Sequence, residues 1–353
     1  MINGDAKHRL ALRNGQSAPT RSRGCPVSGA GPARCWVVSD GAAGNLRQAL
    51  ALARAMGVAD EPRSIALRQP WDWLAPRLLA GAGTAIRFGD GGRPTPPWPA
   101  LAIGCGRRAA LLTRFLKARS AGRCFTVQVL DPRIRTDAFD LVVAPRHDAV
   151  AGTNLITTTG SLNPVDAAWL HEARLRFAGL AELPRPRTAV LIGASNAAQR
   201  LDEAYFAALL QRLAAQQAAA GGSFLVTLSR RTPAPLQPLL RRAFAAFPGL
   251  FWAGPDDGEN PYAGLLAWAD RIVVTPDSVN MLSEAAATGV PVATFAPAPI
   301  GGKFARFHTA LRAEGRLQAL DEPPWPPASA LAETAEVARE VTRRWQAAVP
   351  PAG

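Results

Sequence analysis

The chain has 353 residues, 48% of them hydrophobic and 19% charged, which is more than one core usually holds and predicts two folded domains. Lys and Arg outnumber Asp and Glu by 40 to 27, giving a formal charge of +13. This balance favours phosphate-bearing ligands or an anionic membrane surface as partners. Nucleic acid is not favoured, because the chain has only two Tyr and no helix-turn-helix or aromatic-basic RNA-binding signature.

The cysteines and the hydropathy pattern indicate the compartment. Four cysteines are scattered without a CxxC pair, namely Cys25, Cys35, Cys105 and Cys124. They are typical of reduced, buried thiols rather than of a disulfide or zinc framework. No apolar run approaches the roughly 18 residues of a membrane-spanning helix. The sequence therefore predicts a cytoplasmic protein and leaves peripheral attachment to the inner membrane open.

Residues 1–33 form a basic segment rich in Gly, Ser and Pro, with no sustained apolar period. We interpret it as a disordered tail. Its Arg and Ser content with a single acidic residue also fits a transit peptide. A start codon assigned too early is a third interpretation, so it is open whether this segment is a true part of the protein.

Residues 34–178 alternate short apolar runs with helical periods, which predicts a first Rossmann-like domain. The strands are expected at CWVVSD, RSIALR, LAIGCG, CFTVQVLD, DLVVAP and NLITTTG. Helices are expected over NLRQALALARAMG, near 71–80 and near 107–119, with a further helical pattern from Val165 to about Phe177. Apolar strands separated by helices indicate a parallel sheet that is covered on both faces.

Residues 186–320 repeat this alternation and predict a second Rossmann-like domain, which we expect to bind a nucleotide. Its strands are expected at TAVLIGAS, SFLVTLS, LFWAG, RIVVTPD and PVATF. Its helices are expected near 202–219, 235–247, 261–269, 278–288 and 303–314. The prolines of ELPRPR stiffen the link near residue 180, and residues 321–353 combine a proline-rich segment with a last amphipathic helix. The predicted fold class is α/β, with two doubly wound domains.

Ligands of open parallel sheets bind beyond the carboxyl ends of the strands, and the loop of residues 39–48 lies at such an end. In this loop Gly41 and Gly44 permit close backbone approach, and the helix that begins near Asn45 would favour a phosphate at its N-terminus. The structural alternative is a tight turn in which glycine supplies a positive φ and Asp40 satisfies turn amides. The motif alone favours neither the phosphate-binding loop nor the tight turn.

Two loops of the second series are candidates for contact with a diphosphate. Gly193, Ala194 and Ser195 follow its first strand and would let a pyrophosphate approach the backbone. Arg230 and Arg231 lie just beyond its second strand, where guanidinium groups suit phosphate oxygens. The alternatives are strand-to-helix packing for the first loop and an exposed arginine pair for the second.

The stretch VVTPDSVNMLSEAAATGVPV carries the strongest candidate site. Its strand ends in a polar turn at Thr275, where Asp277 or Ser278 can cap the next helix. Capping leaves Glu284 unexplained, because this acid lies past the first helical turn. A carboxylate at the mouth of a nucleotide cleft can accept both hydroxyls of a ribose. A solvent-exposed helix Glu is the alternative.

A histidine and an acid stand side by side in VVAPRHDAV. His147 could act as a general base, and Asp148 could assist it, although adjacent side chains seldom pair directly. Asp40 is a second candidate for the base. A loop histidine that only donates or accepts a hydrogen bond is the alternative. The other histidines form no metal-ligand spacing with His147, so we predict no metal site.

Several segments together resemble the mitochondrial fission family first described in plants: CWVVSDGAAGNLRQALALARAMG, DLVVAPRHD, TTTGSLNPV, GENPYAGLLAWADRIVVTPDSVNMLSEAAATGVPV and KFARFHTAL. The resemblance runs from about residue 35 to about 315. Members of this family look like GT-B glycosyltransferases, in which two Rossmann-like domains face each other across a cleft. Annotation of bacterial members as nucleoside-diphosphate-sugar epimerases reflects the same likeness.

The segment SEAAATGVPV is also similar to part of the enzyme that adds N-acetylglucosamine to the peptidoglycan lipid precursor. By that resemblance Glu284 would bind the donor ribose, with Ser278 and Ser283 near the phosphates. The chain departs from the family at Ala194, where a second glycine is usual, and the added methyl group would crowd a pyrophosphate. The resemblance implies a nucleotide-sugar as substrate and no bound cofactor.

Three hypotheses follow. The first is a GT-B glycosyltransferase whose second domain binds the nucleotide-sugar and whose first domain presents an acceptor or phosphate loop of Gly41, Gly44 and Asn45. The residues expected to bind the nucleotide are Gly193, Ser195, Arg230, Thr275, Asp277, Ser278, Ser283 and Glu284. The second is a non-catalytic scaffold of the same fold that binds a membrane or a protein partner. The third is a nucleoside-diphosphate-sugar epimerase, which would need no acceptor. The sequence identifies neither the sugar, the acceptor nor the oligomeric state.

Overall fold

A computed structural model describes residues 34–196, 199–322 and 325–348. The predicted tail of residues 1–33 lies outside this range, as do Pro323 and Pro324 of the proline-rich segment. Within it the chain forms two parallel sheets, with helices between the strands. The alternation seen in the sequence therefore corresponds to an α/β fold.

The first sheet has seven strands, which are β1 (Cys35–Ser39), β2 (Asp60–Leu67), β3 (Ile86–Phe88), β4 (Leu101–Cys105), β5 (Phe125–Val129), β6 (Leu141–Pro145) and β7 (Leu155–Thr158). Their order is β3-β2-β1-β4-β5-β6-β7, and β3 alone runs antiparallel to its neighbour. The associated helices are α1 (Ala43–Ala55), α2 (Trp71–Leu74), α3 (Ala82–Ala85), α4 (Arg107–Arg119) and α5 (Ala167–Arg176). The central strands β1, β4, β5 and β6 are buried at every position, which explains why their sequences are mostly apolar.

The second sheet has six strands, which are β8 (Arg187–Ile192), β9 (Ser223–Leu228), β10 (Gly249–Trp252), β11 (Arg271–Val274), β12 (Val292–Thr294) and β13 (Gln318–Ala319). Their order is β10-β9-β8-β11-β12-β13, all parallel. The helices are α6 (Glu203–Ala220), α7 (Leu236–Phe244), α8 (Tyr262–Trp268), α9 (Val279–Ala287), α10 (Gly302–Ala313) and α11 (Glu333–Ala348). Numbered from its own first strand, this order is 3-2-1-4-5-6, the Rossmann order.

The prediction of a helix near 71–80 is wrong beyond its first turn. Helix α2 ends at Leu74, and Ala75 is extended, with φ −61° and ψ 140°. Pro76 follows, and a proline disfavours the helical conformation of the residue before it. The sequence analysis also missed β3 and β13, whose three and two residues are too few to show alternation.

Helix α11 returns the chain from the second sheet to the first. Val337, Ala338 and Val341 belong to the apolar cluster of the first sheet, whereas Leu331, just before the helix, belongs to that of the second. In the first turn of α11, the Glu333 carboxylate accepts the buried backbone N–H groups of Thr159 and Gly160, at 2.6 and 2.9 Å. The acid thus fixes the chain where it leaves β7.

We expect Glu333→Ala to lower the free energy of unfolding by about 1–3 kcal/mol, because two buried amides lose their acceptor. Glu336→Ala is the matched control, since Glu336 lies in the same helical turn with an exposed side chain. Urea denaturation measures both variants. Equal stability of the two would show that the Glu333 contacts contribute nothing.

Candidate functional site

Each sheet has a switch point, where the order of the strands reverses: successive strands are added towards one edge of the sheet and then towards the other edge. It lies between β1 and β4 in the first sheet and between β8 and β11 in the second. The two carboxyl-end edges face each other, because α1, which follows β1, contacts α9, which follows β11. Two Rossmann-like halves that face each other in this way form the GT-B arrangement.

Glu284 lies at the centre of this contact. It is only 2% exposed, so the alternative of a solvent-exposed helix Glu is excluded. Arg47 Nη1 of α1 donates to Glu284 Oε1 at 2.7 Å, and the Tyr262 hydroxyl donates to Oε2. The Arg47 guanidinium also lies 5.5 Å from the centre of the Tyr262 ring. Both carboxylate oxygens are therefore bound, one of them by the opposite half of the protein.

The charges of this cluster are mutually dependent. The Glu284 carboxylate raises the pKa of Arg47, and burial, with Glu284 next, raises the pKa of Tyr262 well above its usual value. Tyr262 therefore remains a hydrogen-bond donor at any physiological pH. The Arg47 side chain is 51% exposed, so water partly screens its charge, whereas the Glu284 side chain is buried and depends on this pairing.

The glycine loop of the first half meets α9. A Cβ on Gly44 would lie 2.4 Å from the Asn280 amide nitrogen, so this glycine permits the close approach of the two helices. Gly41 has φ +83°, which supports the tight-turn interpretation. In the same turn, Asp40 Oδ1 accepts the Ala42 N–H and the Asn45 side-chain amide, both at 3.2 Å.

Asp277 occupies the turn that was expected to approach a pyrophosphate. Its Oδ2 accepts the Ala194 N–H at 3.0 Å, and its Oδ1 accepts the Thr275 hydroxyl at 2.6 Å. Thr275 Oγ1 in turn accepts the Gly193 N–H at 2.8 Å. A Cβ on Gly193 would lie 2.2 Å from both carboxylate oxygens. The glycine thus makes room for an internal carboxyl group, and burial raises the pKa of Asp277.

The remaining candidates of the second half have structural contacts. Ser278 caps α9 by accepting the Met281 N–H, and Ser195 Oγ closes its own turn through both backbone groups of Leu201. Ser283 accepts the Ser161 N–H at 2.9 Å, which joins α9 to the segment after β7. These contacts do not test the predicted roles, but they show what a ligand would displace.

The arginine pair after β9 is exposed, and its two members differ. Arg231 Nη2 lies 3.5 Å from Asp277 Oδ2, with 62% of its side chain exposed. Arg230 is exposed. Arg231 is therefore the member of the pair that lies close enough to interact with Asp277, and no sequence motif distinguishes it from Arg230.

His147 is buried at a second contact between the halves. It is 5% exposed, and its ring centre lies 5.1 Å from that of Phe307 on α10. Its carbonyl accepts Arg306 Nη2 at 2.6 Å, and its Nε2 lies 3.9 Å from Asp148 Oδ1. Burial lowers the pKa of His147, so the ring is neutral near pH 7. Its catalytic role stays a prediction.

Sequence reasoning missed Arg47, Tyr262, Asn280 and Arg306 as site residues. Each gains its role from a residue in the opposite half or in a separate helix, and no local motif marks it. Two surface cavities of about 500 and 420 Å³ open near Ala100 and Asp270, away from the switch points of the two sheets. No helix of the described residues is long and apolar enough to cross a membrane.

The fold and the facing switch points define a protein of the GT-B type. The family profile "Mitochondrial fission ELM1" matches residues 43–345, so the chain belongs to that family. The mitochondrial fission protein ELM1 of Arabidopsis thaliana is 30% identical over 280 residues, which cover 69% of this chain and 64% of that protein. The chain thus spans less than two thirds of the length of this relative. The family predicted from sequence is confirmed.

Two further similarities are more distant. The uncharacterized protein RP120 of Rickettsia prowazekii is 28% identical over 302 residues, covering 74% of this chain and 83% of that protein. MurG of Acinetobacter baumannii is 12% identical, with a TM-score of 0.45, and the match covers 90% of this chain and 94% of that one. A match this loose transfers no function.

We expect stability to fall as the pH is lowered from about 6.5 towards about 4. Burial lowers the pKa of His308 to about 4, and its Nε2 lies 3.1 Å from the Pro276 carbonyl oxygen, beside the Asp277 turn. Between these pH values the unfolded chain binds a proton that the folded chain does not, which costs up to about 3 kcal/mol. His147 acts in the same direction.

Denaturation at a series of pH values measures this dependence. His308→Gln keeps a donor for the Pro276 carbonyl and should flatten the profile. His171→Gln, at an exposed position, should leave it unchanged. An unchanged profile in the His308 variant would assign the acid loss to other groups.

Proposed function

We propose that the protein binds a nucleoside-diphosphate sugar at the switch point of its second sheet and transfers the sugar to an acceptor held by the first half. The observation that carries this proposal is the buried carboxylate of Glu284 at the edge that faces the first half. A buried carboxylate is costly unless it is paired, so its presence demands a partner. The proposed partner is the pair of ribose hydroxyls.

Arg47 acts in this proposal as the partner that Glu284 has when no nucleotide is present. The two residues belong to opposite halves, so separation of the halves would withdraw Arg47 and leave the carboxylate with the Tyr262 hydroxyl alone. A ribose offers two adjacent hydroxyl donors and would restore the missing hydrogen bond. Nucleotide and Arg47 would therefore compete for one oxygen.

The diphosphate would lie between the Gly193 turn and the arginines after β9. Asp277 already accepts the hydrogen bond of the Ala194 N–H. The phosphates must therefore either bind next to a protonated Asp277 or displace its side chain. Burial raises the pKa of Asp277, which lowers the cost of protonating this carboxyl group when phosphates approach. Arg230 and Arg231 would supply positive charge for the leaving diphosphate.

The acceptor would lie against the loop that contains Gly41, Gly44 and Asn45. Between the two predicted bases, Asp40 fits better than His147, because Asp40 is partly exposed in this loop whereas the His147 ring is packed against Phe307. An acid that accepts hydrogen bonds from its own turn is fixed in position before the substrate arrives. No cofactor or metal is part of the proposal.

Binding experiments with a matched pair of variants test the donor site. Glu284→Gln and Arg47→Gln break the same salt bridge, but Arg47→Gln should cost more stability, because it leaves the buried Glu284 carboxylate without its cation. We expect Glu284→Gln to weaken binding of the cognate nucleotide about tenfold or more, because a ribose hydroxyl loses a charged acceptor. Arg47→Gln should instead strengthen it, because the competitor is removed.

Thermal shifts of the full chain with UDP, GDP, ADP, TDP and CMP and their sugars identify the nucleotide, since a ligand of the folded state raises the midpoint. Isothermal titration then compares the two variants. Equal weakening in both would mean that the salt bridge maintains the fold and that Glu284 does not bind ribose. Sugar release or epimerisation without an acceptor would favour the epimerase.

The position of Asp277 favours a second candidate, a GT-B-like scaffold that binds no nucleotide. In that case the carboxyl group has replaced a phosphate on the Ala194 amide, and the two halves are held together by Glu284 and Arg47. Such a protein would act through its surface, on a membrane or on another protein.

Asp277→Asn separates these candidates, because it keeps the size and the Ala194 hydrogen bond and removes the negative charge. A nucleotide-binding protein should gain affinity about tenfold from the loss of repulsion. A scaffold should show no binding in either form at millimolar nucleotide. Titration calorimetry on the parent and the variant measures both cases, and unchanged thermal stability shows that the turn is intact.

A further inference from the structure

The largest exposed aromatic side chain of the described residues lies on the short helix α2. Trp73 is 74% exposed, and its neighbour Leu74 is 46% exposed. The other two large apolar side chains that the described residues expose, Leu175 and Leu239, stand apart from them and from each other in sequence. Only α2 therefore combines a bulky aromatic and an aliphatic side chain at one exposed place.

The exposure of Trp73 does not arise from a loose segment. Arg107 donates to the carbonyl oxygens of Asp72 and Ala75, and Arg108 binds the Asp72 carboxylate through two hydrogen bonds, at 2.5 and 2.8 Å. The Arg114 guanidinium binds the carbonyls of the two residues that follow Ala75. Three arginines of α4 thus fix the backbone on both sides of Trp73, and the side chain is held outward.

The surroundings of this helix are positive. Arg68 accepts the Asp72 N–H through its carbonyl at 3.2 Å, which places it at the start of α2. The Arg68 N–H donates to the Ala85 carbonyl oxygen at 3.1 Å, and Arg87 pairs with Ala66 between β3 and β2, so Arg68, just after β2, and Arg87 of β3 lie close together. Arg93 follows Gly92, whose carbonyl oxygen accepts the Phe88 N–H at 2.8 Å. Arg77 is exposed on the other side of the helix. We call Trp73, Leu74 and these four arginines the α2 patch.

The acidic residues of this region do not cancel its charge. Asp72 is bound by both Arg107 and Arg108, which leaves an excess of positive charge around it. Asp90 accepts the Gly92 N–H in the turn after β3. A tryptophan between clusters of arginine is the combination that suits the boundary of an anionic bilayer, where indole rings settle among the headgroups.

We infer that the α2 patch docks the protein on an anionic phospholipid surface, with Trp73 and Leu74 inserted among the headgroups and the four arginines against lipid phosphates. A bilayer fits better than a protein partner, because two apolar side chains offer far less area than the roughly 800 Å² that each side of a stable protein interface buries. Shallow insertion with basic residues around it needs no larger apolar area. This inference does not depend on the proposed function.

Docking at this place would orient the first half. Arg107 follows Gly106, the turn of β4 at the switch point, and a Cβ on Gly106 would meet the Asn45 amide at 2.6 Å. The α2 patch is therefore connected through one helix N-terminus to the loop of Asp40 and Asn45.

Vesicle co-sedimentation of the full chain tests the α2 patch. We expect binding to vesicles of phosphatidylcholine with about one third phosphatidylglycerol, little binding to phosphatidylcholine alone, and steep loss between about 0.1 M and about 0.5 M salt. Trp73→Ala with Leu74→Ala should weaken binding about tenfold. Each glutamine in place of Arg68, Arg87 or Arg93 should weaken it about fivefold.

Matched controls keep the test specific. Leu175→Ala with Leu239→Ala removes exposed apolar side chains elsewhere, and glutamine at Arg200, Arg242 and Arg343 removes three exposed charges elsewhere. Both sets should bind like the parent. Equal loss in patch and control variants would show non-specific attraction by the net charge and overturn the inference.

Sedimentation velocity, together with capture of acidic proteins, tests whether the α2 patch binds a second copy of this chain or a protein partner instead of a membrane. If the parent binds no vesicles but forms a dimer that Trp73→Ala dissociates, the patch is an interface between copies of this chain. If the parent neither binds vesicles nor dimerises, but captures an acidic protein that the Trp73→Ala variant does not capture, the patch binds a protein partner. Either result would overturn membrane docking, and neither would bear on nucleotide binding at Glu284.

Discussion

The burial of one carboxylate, that of Glu284, constrains the arrangement of the whole molecule. A charge at this depth must be neutralised, and the cation that does so, Arg47, belongs to the opposite sheet. The contact therefore fixes the distance between α1 and α9. Gly44 favours that distance, because a Cβ there would lie 2.4 Å from the Asn280 amide nitrogen and the Asn280 side chain would have to move. Tyr262 completes the cluster by donating to the second oxygen.

Asp277 repeats this arrangement at the neighbouring turn. Like Glu284 it is a buried acid, 2% exposed, whose nearby arginine is largely exposed. The second half thus presents two buried acids with positive charge at the rim. Such an edge suits hydroxyl donors at its centre and phosphate oxygens at its margin, as a nucleotide has. It also explains how the two halves can stay together with no ligand between them.

Membership of the mitochondrial fission ELM1 family leaves the chemistry of this edge open, since only part of the Arabidopsis relative corresponds to this chain. The distribution of charge gives a separate indication. Arg107 and Arg114 bind backbone carbonyl oxygens around α2, and the four arginines of the α2 patch lie near Trp73. Part of the excess positive charge is therefore concentrated at one place on the surface.

The sequence by itself determined the two series of strands and helices, because central strands that are buried on both faces are rich in apolar residues, which can be read locally. It also placed Gly193 and Asp277 in turns that follow strands, and Glu284 in the helix after one of these turns, near the edge where ligands bind. It extended α2 too far although Pro76 marks its end, and it missed β3 and β13, because elements of two or three residues carry no period.

Only the tertiary structure decided the partners of these residues. Arg47 and Glu284 are separated by 237 positions, and nothing near either residue marks the other. The same holds for Gly193 and Asp277, where the space left by a missing side chain is filled by an acid from another strand end. Local sequence fixes the conformation of a segment, but a buried charge takes its partner from whatever the packing of distant segments brings within hydrogen-bond distance.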